Sequence, residues 1–125
     1  MLDIDHFKRF NERYGPLHGD DCLKLLTQTM ATHFRRSLDL VARYSGNEFV
    51  VLLSETDAKT TAQQAKKLRE AVAGLAIPFD DPETAGCFSV SIGCATLVPS
   101  SLAADAEQTL LGLADKQLQL ARAEG

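Results

Sequence analysis

The chain has 125 residues, 45% hydrophobic and 24% charged, with a formal net charge of −4 at pH 7. That length supports one domain with a real core and excludes two, and the balance excludes a disordered chain. The acidic total excludes a surface built for nucleic acid polymers, but a local basic cluster or a metal can still hold a single anionic nucleotide.

Residues 1–5 alternate apolar and acidic side chains, Leu2 and Ile4 against Asp3 and Asp5, which predicts a strand. Phe7, Phe10 and Tyr14 follow at helical spacing and predict a short helix stopped by Gly15-Pro16. A longer helix is expected from Gly19-Asp20, with Leu23, Leu26, Met30 and Phe34 as its buried stripe and Arg35 and Arg36 in its last turn. Residues 40–44 and 49–53 predict two strands joined by Ser45-Gly46-Asn47-Glu48, because Gly and Asn both tolerate the positive φ of a tight hairpin.

A helix is then expected from an Asp57 cap to Leu75, with Ala62, Ala65, Leu68 and Val72 inward. Residues 78–86, rich in Pro and Asp, predict a loop, and residues 88–96 alternate as a strand. A last helix over residues 104–123 would turn Leu110, Leu113, Ala114 and Ala121 inward. The order predicts one α/β domain: a mixed sheet with helices packed on it. No apolar run reaches the ~18 residues of a membrane span, and no signal-peptide pattern opens the chain. Cys22, Cys87 and Cys94 lack metal or redox spacing and read as reduced thiols of a cytoplasmic protein. His6, His18 and His33 show no zinc-ligand spacing.

Three polar sets are candidates for chemistry. Asp3, Asp5 and Glu48 sit at a strand end and a hairpin tip; if those strands are neighbours, the acids converge on Mg²⁺ and a triphosphate. Asp5 equally fits a cap for the next helix. Lys8, Asn11 and Asp20 surround a helix turn, where Asn and Asp together offer a guanine its donors and acceptors; an exposed face with a cap fits the same residues. Arg36 and Asp39 are either a surface pair at i, i+3 or a fork and acceptor for phosphate and base.

Asp3-Ile4-Asp5-His6-Phe7-Lys8, Asn11, Gly19-Asp20 and Arg43-Tyr44-Ser45-Gly46-Asn47-Glu48-Phe49 occur in an order that resembles the GGDEF family, the diguanylate cyclases. Residues 89–95 resemble the family's later strand, and Ala114-Asp115 with Ala121-Arg122 and Gly125 its last helix. The resemblance covers nearly the whole chain. It implies a nucleotidyl-cyclase-like fold, a mainly antiparallel sheet flanked by helices, and a domain over residues 1–125 that starts after the family's N-terminal helix and stops before its usual C-terminal Arg-Asn.

It further implies a site for GTP with Mg²⁺, or Mn²⁺ in its place. Asp3, the Ile4 carbonyl and Glu48 would be metal ligands, and Asn47 and Glu48 would take the catalytic positions of the turn. Phe7, Lys8 and Arg122 would meet phosphate, and Asn11 and Asp20 guanine. Arg36-Ser37-Leu38-Asp39 would be the family's inhibitory R-x-x-D site for cyclic di-GMP, helped by Lys66, Lys67 or Arg69. An active member works as a homodimer, each domain holding one GTP, and such domains are usually attached to sensor or regulatory domains.

The departures bear on activity. Asn47 stands where the family has a metal-binding Asp or Glu, and an amide oxygen is a weaker ligand for a hard cation. Ser45 replaces a Gly, Pro16 a His, Glu12 an Asp and Gln119 a Tyr. These predict a catalytically impaired domain that binds cyclic di-GMP through Arg36 and Asp39. The alternative is an active cyclase that condenses two GTP.

Overall fold

The computed structural model describes residues 1–98 and 106–124. In chain order they form β1 (Leu2–Ile4), α1 (Phe7–Tyr14), α2 (Pro16–His33), β2 (Leu40–Ser45), β3 (Glu48–Leu52), α3 (Ala58–Gly74), β4 (Val90–Ile92) and α4 (Ala106–Glu124). The strands lie in the order β2-β3-β1-β4, and every pairing among them is antiparallel rather than mixed. This is a single mixed α/β domain, in the order the sequence predicts.

β1 is central because its residues suit burial. Leu2 and Ile4 are fully enclosed, as expected, but so is Asp3, which the alternation had assigned to a polar face. β1 is paired on both edges, and the Asp3 side chain leaves its face of the sheet beneath Asn47 and Arg122.

Phe10 on α1 is the hub of the core. Its ring packs edge-on to Phe79 and Phe88, with centroids 5.1 and 5.5 Å away, and tilts against Tyr14 at 4.9 Å. Phe79 lies in the expected loop over residues 78–86, yet it is buried, because Pro78 bridges Cys87 and turns the ring inward. The same loop carries Asp80, Asp81 and Glu83, which pair with Arg13 and Arg9 and so anchor the outer side of α1.

Several expectations shift. The second helix begins at Pro16, not at Gly19-Asp20, since Gly15 at φ +92° turns the chain and Pro fits the first helical position. Asp20 therefore lies inside the helix and does not cap it. That helix ends at His33, so Arg35 and Arg36 follow it instead of occupying its last turn. In the hairpin only Gly46 takes positive φ, and a register shift between Arg43 and Ser45 absorbs the turn.

Asp57 caps α3 as predicted, accepting from the Thr60 N–H at 2.7 Å. Ala62 is exposed; Leu68 and Val72 carry that helix's buried face. β4 is three residues long, shorter than residues 88–96. On α4, Leu113 is exposed and Leu118, absent from the expected stripe, is fully buried. The predicted start of this last helix at residue 104 lies outside the described residues. Among the described residues no helix is long and apolar enough to cross a membrane.

Candidate nucleotide and metal site

The antiparallel register places Asp3 of β1 directly opposite Glu48 of β3. The two acids predicted to converge are thus brought together by strand pairing. Burial pushes the Asp3 carboxyl above its ordinary range; Arg122 opposes that shift, while Glu48 and Asp5 add to it. The Ile4 carbonyl lies at the same strand end. Asn47 turns its side-chain amide inward, its Nδ2 donating to Asp3 Oδ1 and, at 3.2 Å, to the Ile4 carbonyl. Nδ2 faces them because both partners are acceptors. Arg122, from the end of α4, places Nη1 2.9 Å from Asp3 Oδ2.

Asp5 does not cap the next helix. Its two oxygens accept from Ser89 Oγ and Ser91 Oγ, each at 2.6 Å, which ties the end of β1 to β4. The cap position of α1 falls to His6, in the left-handed region at φ 53°, with no side-chain cap. The alternating serines of the later strand were the one sequence signal for this network.

Among the described residues no three His, Cys, Asp or Glu side chains gather as a closed metal cage. The donor set present is two carboxylates, Asp3 and Glu48, and one carbonyl. Those are hard oxygen ligands of the kind Mg²⁺ takes, one or two carboxylates with the rest supplied by water and substrate phosphate. The residues fit the group.

The second set lies beside the α1–α2 corner. Asn11 is partly buried, and its Oδ1 has no hydrogen-bond partner. Gly19 is buried against it: a Cβ there would overlap Asn11 Oδ1 and come within 3.3 Å of the Phe7 ring. The glycine thus keeps open a contact that any side chain would fill. Asp20 and Lys8 are exposed nearby in sequence, and Phe7 is half-buried, stacked at 6.4 Å from Phe10. An acceptor enclosed between an aromatic ring and a glycine, with no donor of its own, is costly to leave unpaired. Gly19 had been read as part of a helix start, and its packing role was missed.

Arg36 and Asp39 form a third, separate cluster. Arg36 donates to both Asp39 oxygens, at 2.7 to 3.1 Å, and also to the Ser54 carbonyl and Thr56 Oγ1. The hydrogen bonds from Arg36 hold the Asp39 carboxyl below its usual range. A cavity of about 390 Å³ opens beside the pair, walled also by His33, Leu53, Thr56 and Gln64. The α3 residue in that wall is Gln64; Lys66, Lys67 and Arg69 do not line it. His33 Nε2 is buried without a partner.

The four-stranded antiparallel sheet flanked by helices puts the chain in the class of GGDEF-type α/β domains. The model of the diguanylate cyclase GGDEF domain matches residues 1–125. The diguanylate cyclase DgcP of Pseudomonas aeruginosa is 34% identical over all 125 residues, and the probable diguanylate cyclase DgcT of Escherichia coli is also 34% identical over 125. The chain belongs to the GGDEF domain family. It spans 18% of the first relative's length and 27% of the second's. The crystal structure of the GGDEF domain of DgcB from Caulobacter crescentus, in complex with c-di-GMP, superposes with a TM-score of 0.81 at 25% identity, over 99% of this chain and 70% of that one.

Proposed function

We propose that this domain is a diguanylate cyclase that condenses two GTP into cyclic di-GMP, at a rate reduced by Asn47. The observation that carries the reading is the meeting of Asp3, the Ile4 carbonyl and Glu48 at one strand end. The domain's kinship with diguanylate cyclases supports it.

When bound, Mg²⁺ held by Asp3, the Ile4 carbonyl and Glu48 supplies charge neutralisation to the triphosphate and acidifies the attacking hydroxyl. The Asn11 amide and the Asp20 carboxylate meet the guanine edge, Asp20 accepting from its N–H groups. Phe7 and Lys8 face the phosphates, with Arg122 as a second cation. Two copies face each other, so that each 3′-hydroxyl loses its proton and bonds to the other's α-phosphorus as the α–β P–O bond breaks and pyrophosphate leaves. Asn47 offers an amide where a carboxylate would add negative charge. Losing one such charge at a phosphoryl-transfer site is worth roughly a hundred- to a thousandfold in rate. The reading places the protein's nucleotide chemistry in the cytoplasm.

The test is incubation with GTP and Mg²⁺ or Mn²⁺ in a full-length protein, with product measured by chromatography. Slow product formation that rises in Asn47→Asp supports the reading; no product from either protein overturns it.

A second reading concerns control. The Arg36–Asp39 fork beside a cavity supports a cyclic di-GMP site apart from the cyclase centre. Gln64, rather than a basic residue of α3, is then the third wall. Calorimetry with cyclic di-GMP tests it.

A further inference from the structure

Of the groups that would face a cation, both Asp3 oxygens and the Ile4 carbonyl already have protein donors. Asn47 Nδ2 engages Asp3 Oδ1 and the Ile4 carbonyl, and Arg122 Nη1 engages Asp3 Oδ2. The two partners of the Arg122–Asp3 pair differ in freedom. The Asp3 side chain is 4% exposed and held between two paired strands, whereas Arg122 is 49% exposed on the last turn of α4. The guanidinium therefore reaches in from solvent and can swing out; the carboxylate cannot follow it.

The reach of Arg122 is set by packing. α4 lies directly on the end of β4, because Gly93 has no side chain: a Cβ there would collide with the Leu118 N–H and the Ala114 carbonyl. Leu118, fully buried, fixes the helix in that position.

A guanidinium and a divalent cation cannot comfortably share one carboxylate, since like charges a few ångströms apart repel in a poorly solvated site. A nucleotide phosphate changes the balance by giving the guanidinium a bidentate partner of higher charge. We propose that Arg122 is an exchange latch, which closes Asp3 to free metal ions and transfers to phosphate when nucleotide and metal enter together. The inference rests on Asp3 facing the metal, as in the proposed function. It makes the site load metal with its nucleotide and not before.

The latch predicts effects of opposite sign. Without nucleotide, Arg122→Ala and Arg122→Gln should bind Mn²⁺ at least about tenfold more tightly than the unmodified protein, the scale of one charge-assisted contact. Both variants should bind a non-hydrolysable GTP analogue with Mg²⁺ about tenfold more weakly. Electron paramagnetic resonance of free Mn²⁺ reads the first effect and calorimetry the second. Gln keeps much of the apolar stem, and circular dichroism checks folding. Lys116→Ala removes the same charge from the same helix and should leave Mn²⁺ affinity unchanged.

Adding Asp3→Asn to Arg122→Gln should abolish the gain. Unchanged, weaker or absent Mn²⁺ binding in both Arg122 variants overturns the proposal. So does an equal gain in Lys116→Ala, a gain that survives Asp3→Asn, or unaltered analogue binding. The Mn²⁺ titration contains no GTP. A protein that makes no cyclic di-GMP but shows the affinity gain thus loses the cyclase reading and keeps the latch; the reverse pattern loses only the latch.

Discussion

Asn11 and Gly19 touch across the corner between α1 and α2, and the contact exists because one of them has no side chain. A Cβ at position 19 would overlap Asn11 Oδ1, the buried acceptor that has no partner in the fold. An orphaned acceptor costs about 1–3 kcal/mol, so the pair is retained at the expense of stability. Gly19→Ala should displace the Asn11 side chain, and Asn11→Ala should remove it. Both are expected to lower affinity for GTP about tenfold or more while ATP binding changes little, since a site built to hydrogen-bond one base loses most with that base. Parallel titrations with the two nucleotides decide it; equal losses for both would detach Asn11 from guanine.

Asn47→Asp should act in two directions. With GTP and Mg²⁺ it should raise turnover by roughly a hundred- to a thousandfold. With chelator present it should lower Tm, because it removes the Asn47 donations to Asp3 and Ile4 and sets a third carboxylate beside Asp3 and Glu48. Adding Mg²⁺ should restore the loss. Calorimetric scans with and without Mg²⁺ check the stability half independently of catalysis.

Gly93→Ala should be costly for its size. Its Cβ would strike backbone atoms of α4 rather than a flexible side-chain tip. Overpacking of this kind costs about 1–3 kcal/mol. Urea unfolding should show that loss, and the displaced helix should carry Arg122 away from Asp3.

Arg36→Ala should weaken cyclic di-GMP binding by about ten- to a hundredfold, the scale of one charge-assisted contact. Gln64→Ala should weaken it less, and Lys66→Ala, Lys67→Ala and Arg69→Ala should have little effect, because those side chains do not wall the cavity. Calorimetric titration of the five variants separates the two sets.

Asp39 gives the pair a defined pH dependence. Its folded-state pKa lies below the ordinary 3.8 because Arg36 donates to it. The contribution to stability is therefore fully present above about pH 4 and is lost as pH falls through the depressed value. Asp39→Asn should have a slightly lower Tm than the unmodified protein at pH 7, and the gap should close in acid. The effect is small because Arg36 is exposed and solvent screens the pair.

Local pattern and chemistry were legible in the sequence. The order of elements, the Phe10 stripe, the Asp57 cap and the hairpin at Gly46-Asn47 follow from periodicity, capping and turn chemistry, which act over a few residues. Asp3, Asn11, Asp20, Arg36 and Asp39 stood out because their types and spacing matched a family pattern. Tertiary structure decided what those residues touch. Strand register set Asp3 against Glu48, and the close approach at Gly93 brought Arg122 from the far end of the chain onto Asp3. It also took Asp5 away from the helix cap and gave it to Ser89 and Ser91, and it buried Phe79 and Leu118 against expectation. Those outcomes depend on which surfaces pack together, and a pairing between distant segments leaves no trace in the spacing of either one.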